Sequence, residues 1–178
     1  MPSAKKFDTL FLDRDGVLNV KIDHGYVLGF DQIVIIPGVQ EFLASAKNYF
    51  ERLVVVTNQR CVGRGLLAMG DLLKINAKIN SLTGSYIDKF YVCPHLDEDN
   101  CDCRKPNPGM FLQAQKEYNI NFESSWMVGD SETDMIPAKQ LGIATFFFSP
   151  KPSAYADKNI SSFAELKAYL ETFSSHVQ

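Results

Sequence analysis

Asp13 and Asp15 stand two positions apart where a short apolar run, Leu10-Phe11-Leu12, gives way to Asp13-Arg14-Asp15-Gly16. At a strand end the chain is leaving the sheet, so both residues can approach one metal ion and one phosphorus. Carboxylates suit magnesium, a hard ion that prefers oxygen ligands, and Asp130 in Gly129-Asp130-Ser131-Glu132-Thr133-Asp134 offers a third. A cation is needed on physical grounds, because clustered carboxylates otherwise repel one another and any phosphate dianion. Thr57, in Thr57-Asn58-Gln59, offers a hydroxyl followed by backbone amides, and Lys105, in Arg104-Lys105-Pro106, offers a point charge for phosphate. Alone, an Asp-x-Asp pair is compatible with a turn that merely caps the next element. Four such groups in one chain point instead to a single phosphate-handling site.

A second constellation is separate in kind. Cys93, His95, Cys101 and Cys103 follow the pattern CxHx5CxC and supply three sulfurs and one imidazole. That is the complete tetrahedral set of a closed structural zinc site, with no coordination position left open for chemistry. Such a loop, at residues 93–103, would run directly into Arg104-Lys105. Cys61 stands apart and reads as a small, semi-buried thiol rather than a nucleophile. His24 and His176 lack comparable neighbours, and His176 reads as a solvated tail residue.

The elements that must position these groups follow from apolar patterning. Leu10-Phe11-Leu12, Leu53-Val54-Val55-Val56, Phe90-Tyr91-Val92, Trp126-Met127-Val128 and Thr145-Phe146-Phe147-Phe148 are short runs bounded by polar or turn residues, as buried strands are. Between them, Val39, Phe42, Leu43, Ala46 and Phe50 repeat with helical spacing, as do Leu72, Ile75, Ile79 and Leu82. Asn107-Pro108 predicts a helix start leading into Phe111, Ala114 and Tyr118, and Phe163, Leu166, Leu170 and Phe173 mark a C-terminal helix. The alternation predicts an α/β, Rossmann-like parallel sheet with helices on both faces. In such sheets ligands bind at the carboxyl ends of strands near a topological switch point, where the polar groups above all fall. The interval from Gln59 to Tyr86 reads as mostly one helix, and Ser149 to Asn159 as a surface loop.

The 178 residues predict a single domain spanning 1–178, with no room for a large cap domain. Hydrophobic residues make up 46% and charged residues 22%, values of an ordinary globular chain. A net charge of -3, with no basic or aromatic tract, argues against nucleic-acid partners. No apolar run approaches the roughly 20 residues of a membrane helix, and the N-terminus lacks the pattern of a secretory signal. These features predict a cytoplasmic monomer acting on a small phosphorylated metabolite.

In the order DxDG, TNQ, RKPxPGM and GDxxxD, from Asp13 to Asp134, the chain resembles the haloacid dehalogenase superfamily of phosphatases. It is similar to the branch that contains heptose bisphosphate, histidinol phosphate and polynucleotide 3'-phosphatases. The resemblance implies a phosphoaspartyl intermediate, with Asp13 as nucleophile and Asp15 as general acid, then base. It further implies that Asp13, the Asp15 backbone carbonyl and Asp130 hold magnesium, that Thr57 and Lys105 bind the phosphoryl group, and that Asp134 supports Asp130 or Lys105. The zinc loop also resembles that of the heptose and histidinol phosphatases.

Local motifs bear on the substrate. Asp23-His24-Gly25-Tyr26-Val27 after Asn19, Arg64-Gly65 after TNQ, and Asn107-Pro108-Gly109-Met110 look more like the heptose bisphosphate enzymes, which implies a sugar bisphosphate. On that resemblance Arg104 would contact the distal phosphate, with Asn19, Asp23, His24, Gly25, Tyr26 and Asn58 near the substrate. Histidinol phosphate is the alternative, since the shorter zinc loop resembles that of histidinol phosphatases. A nucleic-acid 3'-phosphatase and a catalytically silent binding protein are further readings. Cys61 departs from the pattern, standing where relatives commonly have glycine.

Overall fold

The computed structural model describes residues 6–173; His176 lies outside them. Six parallel strands form one sheet, β1 (Phe7–Leu12), β2 (Phe50–Asn58), β3 (Lys89–Cys93), β4 (Trp126–Gly129), β5 (Ala144–Phe148) and β6 (Lys158–Ile160), in the order β3-β2-β1-β4-β5-β6. The order reverses at β1, which pairs with β2 on one side and β4 on the other. Leu12 is in register with both Val55 and Val128, so the carboxyl ends of these three strands lie side by side. The backbone then carries Asp13 one step further, its N–H donating to Val128 O at 3.0 Å.

Strand residues alternate between two apolar layers because successive side chains point to opposite faces. Leu10, Leu12, Leu53, Val55 and Val128 join one layer, and Phe11, Val54, Val56 and Met127 the other. Both faces are buried, which is why the strands read as continuous apolar runs rather than alternating ones. Helices α1 (Val39–Ala46), α3 (Met69–Leu82) and α6 (Phe163–Glu171) cover the first layer; α4 (Gly109–Tyr118) and α5 (Glu132–Gln140) cover the second. A short helix, α2 (Arg60–Gly63), follows β2.

Several expectations shift at their edges. Phe50 continues the helical spacing of α1 yet opens β2; being apolar and fully buried in the same layer, it satisfies either pattern. The interval after Gln59 holds two helices rather than mostly one, with a turn around Gly65 between them. Asn107 does not cap α4: the helix starts at Gly109, and the Asn107 side chain instead donates to Cys101 O at 2.8 Å. The end of the expected loop, Lys158 and Asn159, belongs to β6, which pairs with β5. Among the described residues no helix is long and apolar enough to cross a membrane.

Candidate active site

Beyond the ends of β1, β2 and β4 a cavity of about 560 Å³ opens at the switch point, with Asp13, Asp15, Thr57, Lys105, Asp130 and Asp134 in its wall. Each arrives from a different segment for a local reason. Asp13 and Asp15 leave β1 in a tight turn in which Arg14 O accepts N–H bonds from Val17 and Leu18 at 3.2 and 2.8 Å. Gly16 sits at φ +87°, and a Cβ there would lie 2.1 Å from Asp130 Oδ2. Glycine therefore serves twice, supplying the left-handed backbone and admitting the third carboxylate. Gly129 makes room for the fourth, without a left-handed backbone: a Cβ would lie 2.4 Å from Asp134 Cβ.

Asp134 owes its place to the start of α5. Ser131 caps the helix by accepting from Thr133 N, while Asp134 Oδ2 accepts from Ser131 N at 3.2 Å, a reciprocal capping box. Its other oxygen accepts from Lys105 Nζ. Lys105 is buried; its ammonium also donates to Asp13 Oδ1 at 3.0 Å and to Val56 O at 2.7 Å, which uses all three protons. Burial works against its charge, but Asp13 and then Asp134 more than offset this and hold its pKa above the ordinary lysine value. Asn58 fixes the lysine backbone with a reciprocal pair, Nδ2 to Lys105 O and Lys105 N to Oδ1, each 3.0 Å. Asn58 lines the cavity, as expected of a substrate contact, but its amide is engaged at both ends by Lys105.

Asp13, Asp130 and Asp134 offer oxygens that lie within 4.8 Å of one another. Burial and then Asp13 push the Asp130 carboxyl up to about 6 and the Asp134 carboxyl up to about 7. Asp130 Oδ1 is buried without a hydrogen-bond partner. An orphaned buried carboxylate oxygen among crowded acids fits a hard divalent cation. Asp15 stands outside this group. Oδ1 accepts from Asn19 Nδ2 at 2.9 Å, Oδ2 from Gln59 Nε2 at 2.7 Å, and both accept from Arg14 Nη2 at 3.0 Å. Burial pushes its carboxyl up, yet Arg14 and these hydrogen bonds together hold it below the usual aspartate value. Gln59 Nε2 also donates to Thr57 Oγ1 at 2.9 Å, leaving the threonine proton for a ligand in the cavity.

His24, Gly25 and Tyr26 line the cavity, as the sequence leads one to expect, and so does Arg104. Asn19 and Asp23 differ from expectation. Asn19 is fully buried behind Asp15 because its amide is needed by that carboxylate and by Val20 O; Asp23 is exposed and outside the cavity wall. Four residues given no role from sequence prove relevant. Arg14 and Gln59 brace Asp15, Lys21 Nζ approaches Asp130 Oδ2 at 3.5 Å, and Arg60 lines the cavity while donating to Tyr26 Oη at 2.9 Å. Arg14 and Gln59 lay inside the quoted motifs; nothing in the residue pattern singles out Lys21 or Arg60.

Beside the cavity, Cys93, His95, Cys101 and Cys103 converge. Cys93 Sγ lies 3.6 Å from both Cys101 Sγ and His95 Nδ1, Cys101 and Cys103 are 3.5 Å apart, and His95 Nδ1 is 3.2 Å from Cys103 Sγ. Sulfurs on a zinc tetrahedron with bonds of about 2.3 Å are roughly 3.8 Å apart, so this donor set fits zinc closely. The loop is tied to both sides of the site: Gly63 N donates to Pro94 O at 3.0 Å, and Asp97 pairs with Arg60 and Arg104.

The family model for haloacid dehalogenase-like hydrolases matches residues 4–142. Among curated proteins, D-glycero-beta-D-manno-heptose-1,7-bisphosphate 7-phosphatase of Pasteurella multocida is 45% identical over 139 residues, covering 73% of this chain and 74% of that protein. The protein of the same name from Escherichia coli is 36% identical over 180 aligned residues, covering 92% and 94%. Among solved structures, D,D-heptose 1,7-bisphosphate phosphatase of B. bronchiseptica, complexed with magnesium and phosphate, superposes with a TM-score of 0.81 at 27% identity. That match covers 93% of this chain and 99% of the other.

Proposed function

Since the chain belongs to the haloacid dehalogenase-like hydrolases and is a phosphatase, we propose that it removes the 7-phosphate of D-glycero-beta-D-manno-heptose 1,7-bisphosphate. The observation that carries the chemistry is Asp13. Its carboxylate stands at the end of the central strand, with a buried ammonium on one oxygen and the cavity before it. In this reading Asp13 attacks phosphorus to form an aspartyl phosphate while Asp15 protonates the departing sugar oxygen. Asp15 then takes a proton from the water that hydrolyses the aspartyl phosphate. Lys105 and the Thr57 hydroxyl receive the charge on the transferring oxygens. Asp13, Asp130 and the Asp15 backbone carbonyl would hold magnesium, which neutralises the carboxylates and polarises the phosphoryl group. Asp134 keeps Lys105 in line.

Three arginines in the wall, Arg60, Arg64 and Arg104, favour a substrate with a second anionic group over histidinol phosphate, which carries an amine instead. The zinc reading assigns Cys93, His95, Cys101 and Cys103 a structural role, stiffening the loop that delivers Arg104 and Lys105. Residues 1–178 are read as one domain with the zinc loop at 93–103, acting as a monomer in the cytoplasm.

The test is phosphate release by metal-replete protein with magnesium, from both heptose 1,7-bisphosphate anomers, histidinol phosphate, fructose 1,6-bisphosphate and a 3'-phosphorylated oligonucleotide. Preference for the beta heptose bisphosphate, abolished in Asp13→Asn, supports the reading. Preference for histidinol phosphate keeps the mechanism and overturns the substrate.

A further inference from the structure

Arg14 is the largest fully buried side chain among the described residues, with no accessible surface. A guanidinium in that position needs a reason, since a buried charge is tolerated only when paired and hydrogen-bonded. The acidic side chain it pairs with is Asp15, which faces the cavity while Arg14 does not line it. Arg14 Nη2 sits 3.0 Å from both Asp15 oxygens, on the bisector of the carboxylate. Its Nη1 donates at 3.0 Å to Asn76 Oδ1, on α3, which is itself buried and contributes nothing to the cavity wall. The connection therefore runs from a packed helix, through a guanidinium, to one carboxylate in the site.

We propose that Arg14 is a positioning residue: braced by Asn76, it fixes the plane and direction of the Asp15 carboxylate so that one oxygen faces the leaving group. The inference rests on the reading of Asp15 as proton donor to the departing alcohol. Two further contacts complete the brace. Asn19 Nδ2 holds one oxygen and Gln59 Nε2 the other, and Cys61 Sγ lies 3.7 Å from Gln59 Oε1, on the side of that amide turned away from Asp15. The buried thiol thus has a structural place in the same network, which glycine could not fill. In the free protein these donors hold Asp15 as a carboxylate in one orientation, so that a proton taken up with the substrate is delivered without a search over side-chain conformations, an orientation effect of the kind that multiplies acid catalysis.

A brace for general acid catalysis has a signature that a mere fold brace lacks: its loss hurts substrates in proportion to how badly their leaving group needs a proton. The experiment uses magnesium- and zinc-replete enzyme, in excess over substrate, and follows single-turnover release of the alcohol from a simple alkyl phosphate and from p-nitrophenyl phosphate. Nitrophenolate leaves without protonation. In Arg14→Lys and Arg14→Met, release of the alkyl alcohol should fall about 100-fold, the scale of a catalytic group misplaced by about 1 Å, and nitrophenolate release by less than about 10-fold. Asn76→Leu, which leaves both charges in place, should show the same asymmetry at about 3- to 10-fold, the cost of looser orientation alone. Should the Arg14 variants not fold, Asn76→Leu decides. Equal losses with both leaving groups, or none, overturn the proposal. Because both probes are generic monoesters, the result stands apart from whether wild-type enzyme turns over a heptose bisphosphate.

Discussion

Lys105→Met removes one buried charge and leaves two behind. In the folded protein the ammonium is 3.0 Å from Asp13 Oδ1, also pairs with Asp134, and donates to Val56 O at 2.7 Å. At that separation and an effective dielectric near 20, the Lys105–Asp13 attraction alone is about 5.5 kcal/mol before desolvation is subtracted. Methionine matches the volume and removes the lysine's own desolvation cost, but it strands the carboxylates and the Val56 carbonyl. Truncating one partner of a buried pair costs about 3–5 kcal/mol, and that figure should describe the metal-free protein in urea denaturation. Magnesium should recover more stability in the variant than in the wild type, because a divalent cation replaces the missing positive charge at the same acids. Activity does not return with it. Loss of a preorganised donor to the transferring oxygens predicts a fall in kcat of roughly 10²–10³-fold at saturating magnesium. A metal-free variant within about 1 kcal/mol of wild type, or with kcat within about 3-fold, would refute the buried-pair reasoning.

The same crowding makes pH matter. Asp130 and Asp134 have carboxyls raised to about 6 and about 7 by burial and then by Asp13, so protonation favours the folded state. That contribution is full below the unfolded value near 3.8 and is lost as pH rises through about 7; thermal melts of metal-free protein should fall over this window, and magnesium should flatten the decline. Asp157 behaves oppositely. Burial opposes its charge, but Lys139 and the Thr145 amide and hydroxyl hold its carboxyl below 3.8, so its contribution is present above that value and lost as pH falls through the lower folded one. Asp157→Asn should therefore blunt the acid limb of the stability profile and leave phosphatase activity intact. Gly129→Ala drives a Cβ to 2.4 Å from Asp134 Cβ, and should lower kcat more than it lowers Tm, read by turnover and calorimetry on one preparation. Cys101→Ser should release zinc, measured by metal analysis, and lower Tm; if the heptose-to-histidinol substrate ratio is unmoved, the loop is structural without shaping specificity.

How far the sequence reached depended on whether each group announced itself locally. Five strands were visible because a sheet buried on both faces needs unbroken apolar runs. β6 was not, since Lys158-Asn159-Ile160 buries one side chain fully and its pairing with β5 is tertiary information. α5 escaped for a related reason. Its buried side holds Asp134, Met135, Pro137 and Ala138, a mixed stripe in which an acid and a proline take core positions because Lys105 and the sheet end are there to receive them. In the site, chemistry-bearing types at strand ends were legible: Asp13, Asp15, Thr57, Lys105 and Asp130 share the cavity wall. Asn19 and Asp23, expected near the substrate, do not line the cavity, because a loop residue's direction is set by which neighbours need its donors. Asn19 turned inward to a carboxylate, and Asp23, with no such partner, stayed outside.

Those inward turns explain why the polar interior is larger than the catalytic set. Asp13, Asp130 and Asp134 crowd three acids within 4.8 Å, and Asp15 adds a fourth nearby; folded without compensation, they would repel. The chain supplies two buried cations, and divides them. Lys105 faces the cavity end of the cluster, bridging Asp13 and Asp134, whereas Arg14 lies behind Asp15 and touches neither. The split matches what each side chain does well. An ammonium with three rotatable protons can hold two acids and a carbonyl at once and leave Asp13 its second oxygen for attack. A planar guanidinium can lock the orientation of one carboxylate while anchoring to a helix amide. Exchanging the two, Lys for Arg at 14 and Arg for Lys at 105, would conserve the net charge of the site. By this reasoning the doubly exchanged protein should still be inactive, because positive charge would be present with neither geometry satisfied. Phosphate release within about 10-fold of wild type from that protein would show that charge alone, rather than its geometry, sustains the site.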